Sequence, residues 1–243
     1  MRAAVRRGFQ RRMRPVVYRV LKAILVALLV FWLGGLVLFR FVNPPGTPLM
    51  VIRSVERGAL VRYKPVALSA ISPALVQAVI ASEDGRFCFH HGIDIGAVQD
   101  ALDDYEQNGR LRGASTITMQ VARNLFLWPG GGFVRKALEA PLALALDAVW
   151  PKRRIMEVYL NIAEMGDGVF GVGAAAQTYL GKSPAGLTAY EAARLAAVLP
   201  NPVRWSAARP TAYIERRAAI IRGRMVQLSG AQQACVGLGR LAR

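Results

Sequence analysis

The stretch "ASEDGRFCFHHGID", Ala81 to Asp94, sets two adjacent acids, Glu83 and Asp84, beside an arginine, two histidines and two phenylalanines. A carboxylate shielded from water by aromatic side chains such as Phe87 and Phe89 has its pKa raised, which suits it to act as a general base. The apolar run "SPALVQAVI" leads straight into it. The acids therefore stand at the end of a helix rooted by Val76, Val79 and Ile80, on a loop where Gly85 and Gly92 permit tight turns.

Three further segments carry chemistry. In "GRLRGASTITMQVARNLFL" a helix starting at Ser115 puts Thr116, Gln120, Arg123 and Asn124 on one face, and Ile117, Val121 and Leu125 on another. Uncharged donors mixed with one cation suit sugar hydroxyls beside a phosphate. In "RKALE", Arg135 and Lys136 fall within one turn of Glu139; such pairs are common on surfaces and contribute only about 0.3–0.5 kcal/mol. In "KRRIMEVYLNIAEMGDGVFGV" three cations open a helix, where they oppose its dipole. An anionic ligand would account for them.

These residues need a helical scaffold. Helices are expected over Pro73–Ser82, Ile95–Gln107, Ser115–Leu127, Phe133–Val149, Pro151–Glu164, Val172–Leu180, Thr188–Leu199 and Ala212–Leu228. Ser115 is read as an N-cap, Pro151 as a first-turn residue, and Thr188 with Glu191 as a capping box. Pro141 should bend its helix one turn after Glu139. "MVIRSVERGALVRYKPVAL" has the β-branched content of a short hairpin. With no sustained alternation, the chain reads as mainly α, one domain at 73–243 behind a linker at 41–72.

The 243 residues carry 32 Lys and Arg against 15 Asp and Glu, a net +17. Met1 to Arg40 holds nine of the cations and no acid. Within it "AILVALLVFWLGGLVLF" is uncharged for 17 residues, roughly 26 Å of helix, near the lower limit for crossing a bilayer. Lys22 and Arg40 can snorkel. A cleaved signal peptide would need a small-x-small site that "RFVNPPGTP" lacks. The pattern reads as a basic cytoplasmic tail at 1–22, an anchor at 23–40, and export of the remainder of the chain. Nucleic acid is not an expected partner, because the most basic stretch precedes the span. Cys88 and Cys235 could pair, though nothing in the sequence forces it. Unpaired, Cys88 would be an inert apolar residue. No ligand spacing for structural zinc is present.

Taken in order, Glu83-Asp84-x-x-Phe87-x-x-His90-x-Gly92, Gly113-x-Ser115-Thr116-Ile117-Thr118-x-Gln120, Arg135-Lys136-x-x-Glu139 and Lys152-x-x-Ile155-x-Glu157-x-Tyr159-Leu160-Asn161 resemble the peptidoglycan glycosyltransferase family (glycosyltransferase family 51). "EAARLAAVLPNPVRW" extends the match, and "YLNIAEMGDGVFGV" resembles the monofunctional biosynthetic members; no transpeptidase domain is expected. The resemblance implies a lysozyme-like fold and polymerisation of lipid II into β-1,4-linked glycan, by inverting transfer from an undecaprenyl-diphosphate donor to the 4-hydroxyl of the acceptor GlcNAc.

The same resemblance implies a role for each matching residue. Glu83 is the general base and Glu139 the donor-side carboxylate, assisting diphosphate departure directly or through a divalent cation such as Mg or Mn. No organic cofactor is implied. Arg123, Arg135 and Lys136 would neutralise the diphosphate, while Thr116, Gln120 and Asn124 position sugar or phosphate. Asp84, Phe87 and His90 shape the acceptor side. The chain has Met119-Gln120 where the family often has two glutamines, and Arg123 where it often has lysine. Implied partners are lipid II, the growing strand, the inner membrane with the catalytic domain periplasmic, and other cell-wall synthesis proteins. A lytic transglycosylase cleaving the same polymer is the competing enzymatic reading, and a non-catalytic cell-wall scaffold the other. "LFLWPGGGFV", Leu125 to Val134, is either a loop that dips into the bilayer or a buried connection.

Overall fold

The computed structural model describes residues 2–109 and 113–238. Met1, residues 110–112 and residues 239–243 lie outside the described residues, as do the side chains of residues 2–15 and of Phe133. The basic tail read at 1–22 falls largely on them. The chain divides into two units, one ending at Val42 and one beginning at Asn43.

The first unit is a single helix, α1 (Arg2–Phe41). Its stretch Val16–Phe41, with mean hydropathy 2.5, is long and apolar enough to cross a membrane. The expected anchor at 23–40 lies inside it.

The second unit begins with α2 (Pro48–Arg57), in place of the expected linker and hairpin. The Thr47 side chain caps it by accepting the Met50 amide, Pro48 sits in its first turn, and Gly58 ends it in the left-handed region. These caps outweigh the β preference of Val51, Ile52 and Val55. There follow β1 (Arg62–Tyr63), α3 (Pro73–Glu83), α4 (Ile95–Asn108), α5 (Ile117–Phe126), α6 (Gly132–Val149) and α7 (Lys152–Ile162). Next come β2 (Glu164–Gly166), β3 (Val169–Phe170), α8 (Gly171–Leu180), α9 (Ala189–Val198), α10 (Ala212–Gln227) and α11 (Gly230–Ala234). The mainly α expectation holds. The three short strands form one small sheet in the order β1-β3-β2, with β1 parallel and β2 antiparallel to β3.

Two corrections concern helix ends. Thr116, not Ser115, caps α5, accepting the Met119 amide at 3.1 Å. Pro151 is the residue before α7 rather than its first-turn residue. Pro141 lies inside α6, which runs on to Val149. The box of Thr188 and Glu191 on α9 forms as expected.

α3, α9 and α10 pack together. Ala78 on α3 and Ala192, Ala193 and Ala196 on α9 are fully buried, and these small side chains let the backbones approach closely. Beside this trio, α5 packs on α6 and α7, burying Ile117, Val121, Leu146 and Ile155. Thus α3, which delivers Glu83, and α5, which delivers Gln120 and Arg123, are both rooted in the core.

Cys88 and Cys235 form a disulfide, their Cα atoms 5.5 Å apart. Cys88 is therefore not the free apolar residue of the alternative reading. The bond ties the loop after Glu83 to the end of α11, and Gln232 Nε2 adds a hydrogen bond to the Gly85 carbonyl at 2.9 Å. It closes a loop of 147 positions. Reduction, or Cys235→Ser, should lower unfolding stability by about 2–5 kcal/mol through the unfolded-chain entropy it restores. Denaturant unfolding with and without dithiothreitol checks this; coincident transitions would refute it.

Candidate active site

Glu83 is the last residue of α3, half-buried at the wall of a cavity of about 200 Å³ that it shares with Arg86, Asp94, Ser115 and Thr116. Its Oε2 accepts a hydrogen bond from Gln120 Nε2 at 3.0 Å. Burial pushes its pKa up; the Gln120 hydrogen bond and the charges of Arg217 and Arg123 oppose this, and Asp84 adds to it. A carboxyl whose pKa is lifted in this way is a better proton acceptor than a solvated one. The aromatic shield, however, is not the expected one. Phe89 is 53% exposed, while Phe87 is fully buried with the Lys152 ammonium 4.7 Å from its ring centroid.

The second acid lies on α6. Glu139 is only 2% exposed, and its carboxylate is held between Arg135 and Lys136. Lys136 Nζ reaches Glu139 Oε2 at 2.8 Å and Ser115 Oγ at 2.7 Å. These are not loose surface pairs. Burial and the charge of Arg123 lower the pKa of both Arg135 and Lys136, and Arg135 further lowers that of Lys136. Two cations hold the carboxylate and a third, Arg123, acts on both of them, a local excess of positive charge that an anion would relieve. α5 joins the two halves: Gln120 reaches Glu83, Arg123 acts electrostatically on Glu83, Arg135 and Lys136, and the preceding Ser115 holds Lys136.

A second cavity of about 220 Å³ is lined by Arg53, Arg123, Asn124, Trp128 and Arg135, among others. Asn124 accepts a hydrogen bond from Arg123 Nε at 3.2 Å. Arg53 is an addition to the expected site; the hairpin reading of α2 concealed it. Its guanidinium also bonds Glu164 at 3.1 Å and Glu56 at 2.9 Å.

Other expected ligand contacts are used within the protein. Asp84 is buried, and its Oδ2 accepts the Ile117 amide at 2.9 Å, at the start of α5. Both its oxygens stand 3.0 Å from His90 Nε2. Thr116 Oγ1 donates to the Gly92 carbonyl at 2.6 Å. These three lock the loop to α5 and hold Glu83 opposite Gln120. Gly92 itself has φ 83°, and a Cβ there would stand 2.6 Å from the Ala143 carbonyl oxygen. Gly92→Ala should destabilise the fold by at least about 1–2 kcal/mol, read as a fall in denaturant midpoint; an unchanged midpoint would refute that reading.

Two of the three cations at the start of α7, Lys152 and Arg154, have partners within the protein. Lys152 pairs with Asp147 at 2.6 Å and donates to the His90 carbonyl at 2.7 Å, and Arg154 pairs with Glu157 and Asn43. Lys152 thereby braces the loop after Glu83, and Arg154 ties α7 to Asn43. Leu125 to Val134 is split: Leu125, Phe126 and Leu127 are buried, whereas Trp128 to Gly132 are exposed.

Both Glu139 oxygens already face cations, and among the described residues no three His, Cys, Asp or Glu converge as ligands. This donor set does not fit a protein-held Mg or Mn ion.

A half-buried carboxylate beside a cationic cluster, on a helical scaffold, suits glycosyl transfer from an anionic leaving group. The transglycosylase family profile matches residues 51–226, and the chain belongs to that family. It is 55% identical over 213 residues to a biosynthetic peptidoglycan transglycosylase of Rhodospirillum centenum, covering 88% of this chain and 92% of that one. Proteins of the same description from Caulobacter vibrioides (47% identical; 83% and 89% covered) and Salmonella newport (48%; 91% and 95%) are also similar.

Proposed function

We propose that this chain polymerises lipid II into β-1,4-linked glycan strands. The observation that carries the reading is the pairing, through α5, of one half-buried carboxylate with a cluster holding more cations than acids. The 4-hydroxyl oxygen of the acceptor sugar attacks C1 of the donor from the face opposite the diphosphate. As the O4–C1 bond forms, Glu83 takes the hydroxyl proton. The C1–oxygen bond breaks, and its electron pair leaves with the diphosphate, giving inversion at C1.

A diphosphate needs charge neutralisation more than a proton. Arg123, Arg135 and Lys136 supply it; Glu139 fixes the last two in place and keeps them from splaying apart under mutual repulsion. Gln120 and Asn124 add hydrogen-bonding groups beside the cations. Cleavage of a neutral glycosidic bond would have no use for such a cluster.

The apolar α1 suits a substrate that stays in the bilayer. The arginines before it favour a cytoplasmic N-terminus, and the Cys88–Cys235 disulfide fits an oxidising compartment such as the periplasm. The test is a choice of substrate. Detergent-solubilised full-length protein given labelled lipid II should yield polymer, and given finished glycan should release nothing. Fragments from glycan with lipid II untouched would overturn the proposal in favour of a lytic enzyme.

A further inference from the structure

By its spacing Tyr159 is one of the apolar side chains on α7. It is 1% exposed, among the most buried large side chains of the unit. Its hydroxyl is not idle: it donates to Gln120 Oε1 at 3.2 Å, and Gln120 Nε2 donates in turn to Glu83 Oε2 at 3.0 Å. We infer that Tyr159 is a positioning residue that fixes the Gln120 amide in the one orientation that keeps Glu83 competent as a base. The inference rests on the proposed polymerase function.

The chemistry of the three groups dictates the direction of the chain. An ionised carboxylate only accepts, so the amide must present its NH₂ to Glu83 and its carbonyl oxygen to Tyr159. A phenol that keeps its proton answers that carbonyl with a donor. Tyr159 keeps it: burial, followed by the Glu83 charge, pushes its pKa well above the ordinary value, with Arg123 opposing. Once Glu83 gains a proton it can donate, and a flipped amide would serve it equally well, NH₂ toward the phenol oxygen. The Tyr159 hydrogen bond reinforces, from the other side of the amide, the orientation that the ionised carboxylate requires. Without it the Gln120 carbonyl loses its donor, the hydrogen bond to Glu83 is held less firmly, and the Glu83 proton is held more tightly. The other charged groups acting on Glu83 are Arg123 from α5, Arg217 from α10 and the adjoining Asp84. Tyr159→Phe leaves all three in place.

The experiment is the pH dependence of lipid II polymerisation by full-length protein. Tyr159→Phe removes one oxygen and keeps the ring, so the thermal transition should still be present. We expect its rate at saturating lipid II to fall about tenfold at neutral pH, the scale of one hydrogen bond, with the acid limb moved to higher pH and little change in KM. Gln120→Met cuts the same chain at its other bond and should move the limb in the same direction. Adding Tyr159→Phe to Gln120→Met should then cost almost nothing more. An acid limb left in place in either single variant, or full additivity in the double, would overturn the inference even where rates fall. A wild-type chain that leaves lipid II unpolymerised would remove the proposed function together with it. An active wild type with unmoved limbs would remove this inference alone.

Discussion

Glu83→Gln should lower the polymerisation rate by about 10²–10⁴-fold, the usual contribution of a positioned general base. The substitution keeps size and hydrogen bonding but cannot take a proton. Because burial raises the Glu83 pKa, wild-type activity should fall as pH drops through a value above the ordinary carboxylate range. The linkage sign gives a second check. A carboxyl with a raised folded pKa binds its proton more tightly folded than unfolded, so stability declines as pH rises from the unfolded value to the folded one. At neutral pH the ionised group is a cost to the fold, and Glu83→Gln should unfold no more easily than wild type. Near-normal activity, or loss of activity traced to loss of folding in circular dichroism, would refute the assignment.

Arg123→Met should be nearly as damaging, with kcat lower by about 10²–10³-fold, the scale seen when one donor to developing negative charge is removed. Among the described residues Arg123 is the cation shown to act on both halves of the site: it lowers the Glu83 pKa and repels Arg135 and Lys136. Its loss should therefore move the acid limb of the pH profile upward while also weakening leaving-group stabilisation. Arg123→Lys should restore most of the rate, since the charge returns even without the guanidinium fork. If methionine and lysine at this position were equally inactive, charge would not be the property that matters. If Met left the acid limb in place, the coupling to Glu83 would be refuted.

The eight helices expected from 3.6-residue periodicity all form, with ends within about two residues, because their caps and apolar faces are local signals. α2 reads as strand because Val51, Ile52 and Val55 favour strands by composition, although Thr47-Pro48 and Gly58 mark both its ends. The acids and cations of the site are legible as residue types in an order. What each one touches is not, because that depends on contacts between helices distant in sequence. Thus Asp84 and Thr116 secure α5, and Lys152 and Arg154 find partners among Asp147, Glu157 and the His90 carbonyl. Tyr159 is hidden for the opposite reason: an aromatic on an apolar stripe reads as core, and only its buried hydroxyl, which must find a partner, shows otherwise. The disulfide pairs residues 147 positions apart, a proximity that two isolated cysteines cannot reveal.

The central claim is that Glu83 and the Arg123, Arg135, Lys136 cluster serve the two ends of one reaction. The most direct measurement is a structure of the Glu83→Gln variant bound to lipid II and a non-transferable diphosphate-linked donor analogue. The acceptor 4-hydroxyl should lie within hydrogen-bond reach of residue 83, and the donor diphosphate should contact at least two of the three cations. A diphosphate bound away from all three, or a 4-hydroxyl out of reach of residue 83, would contradict it.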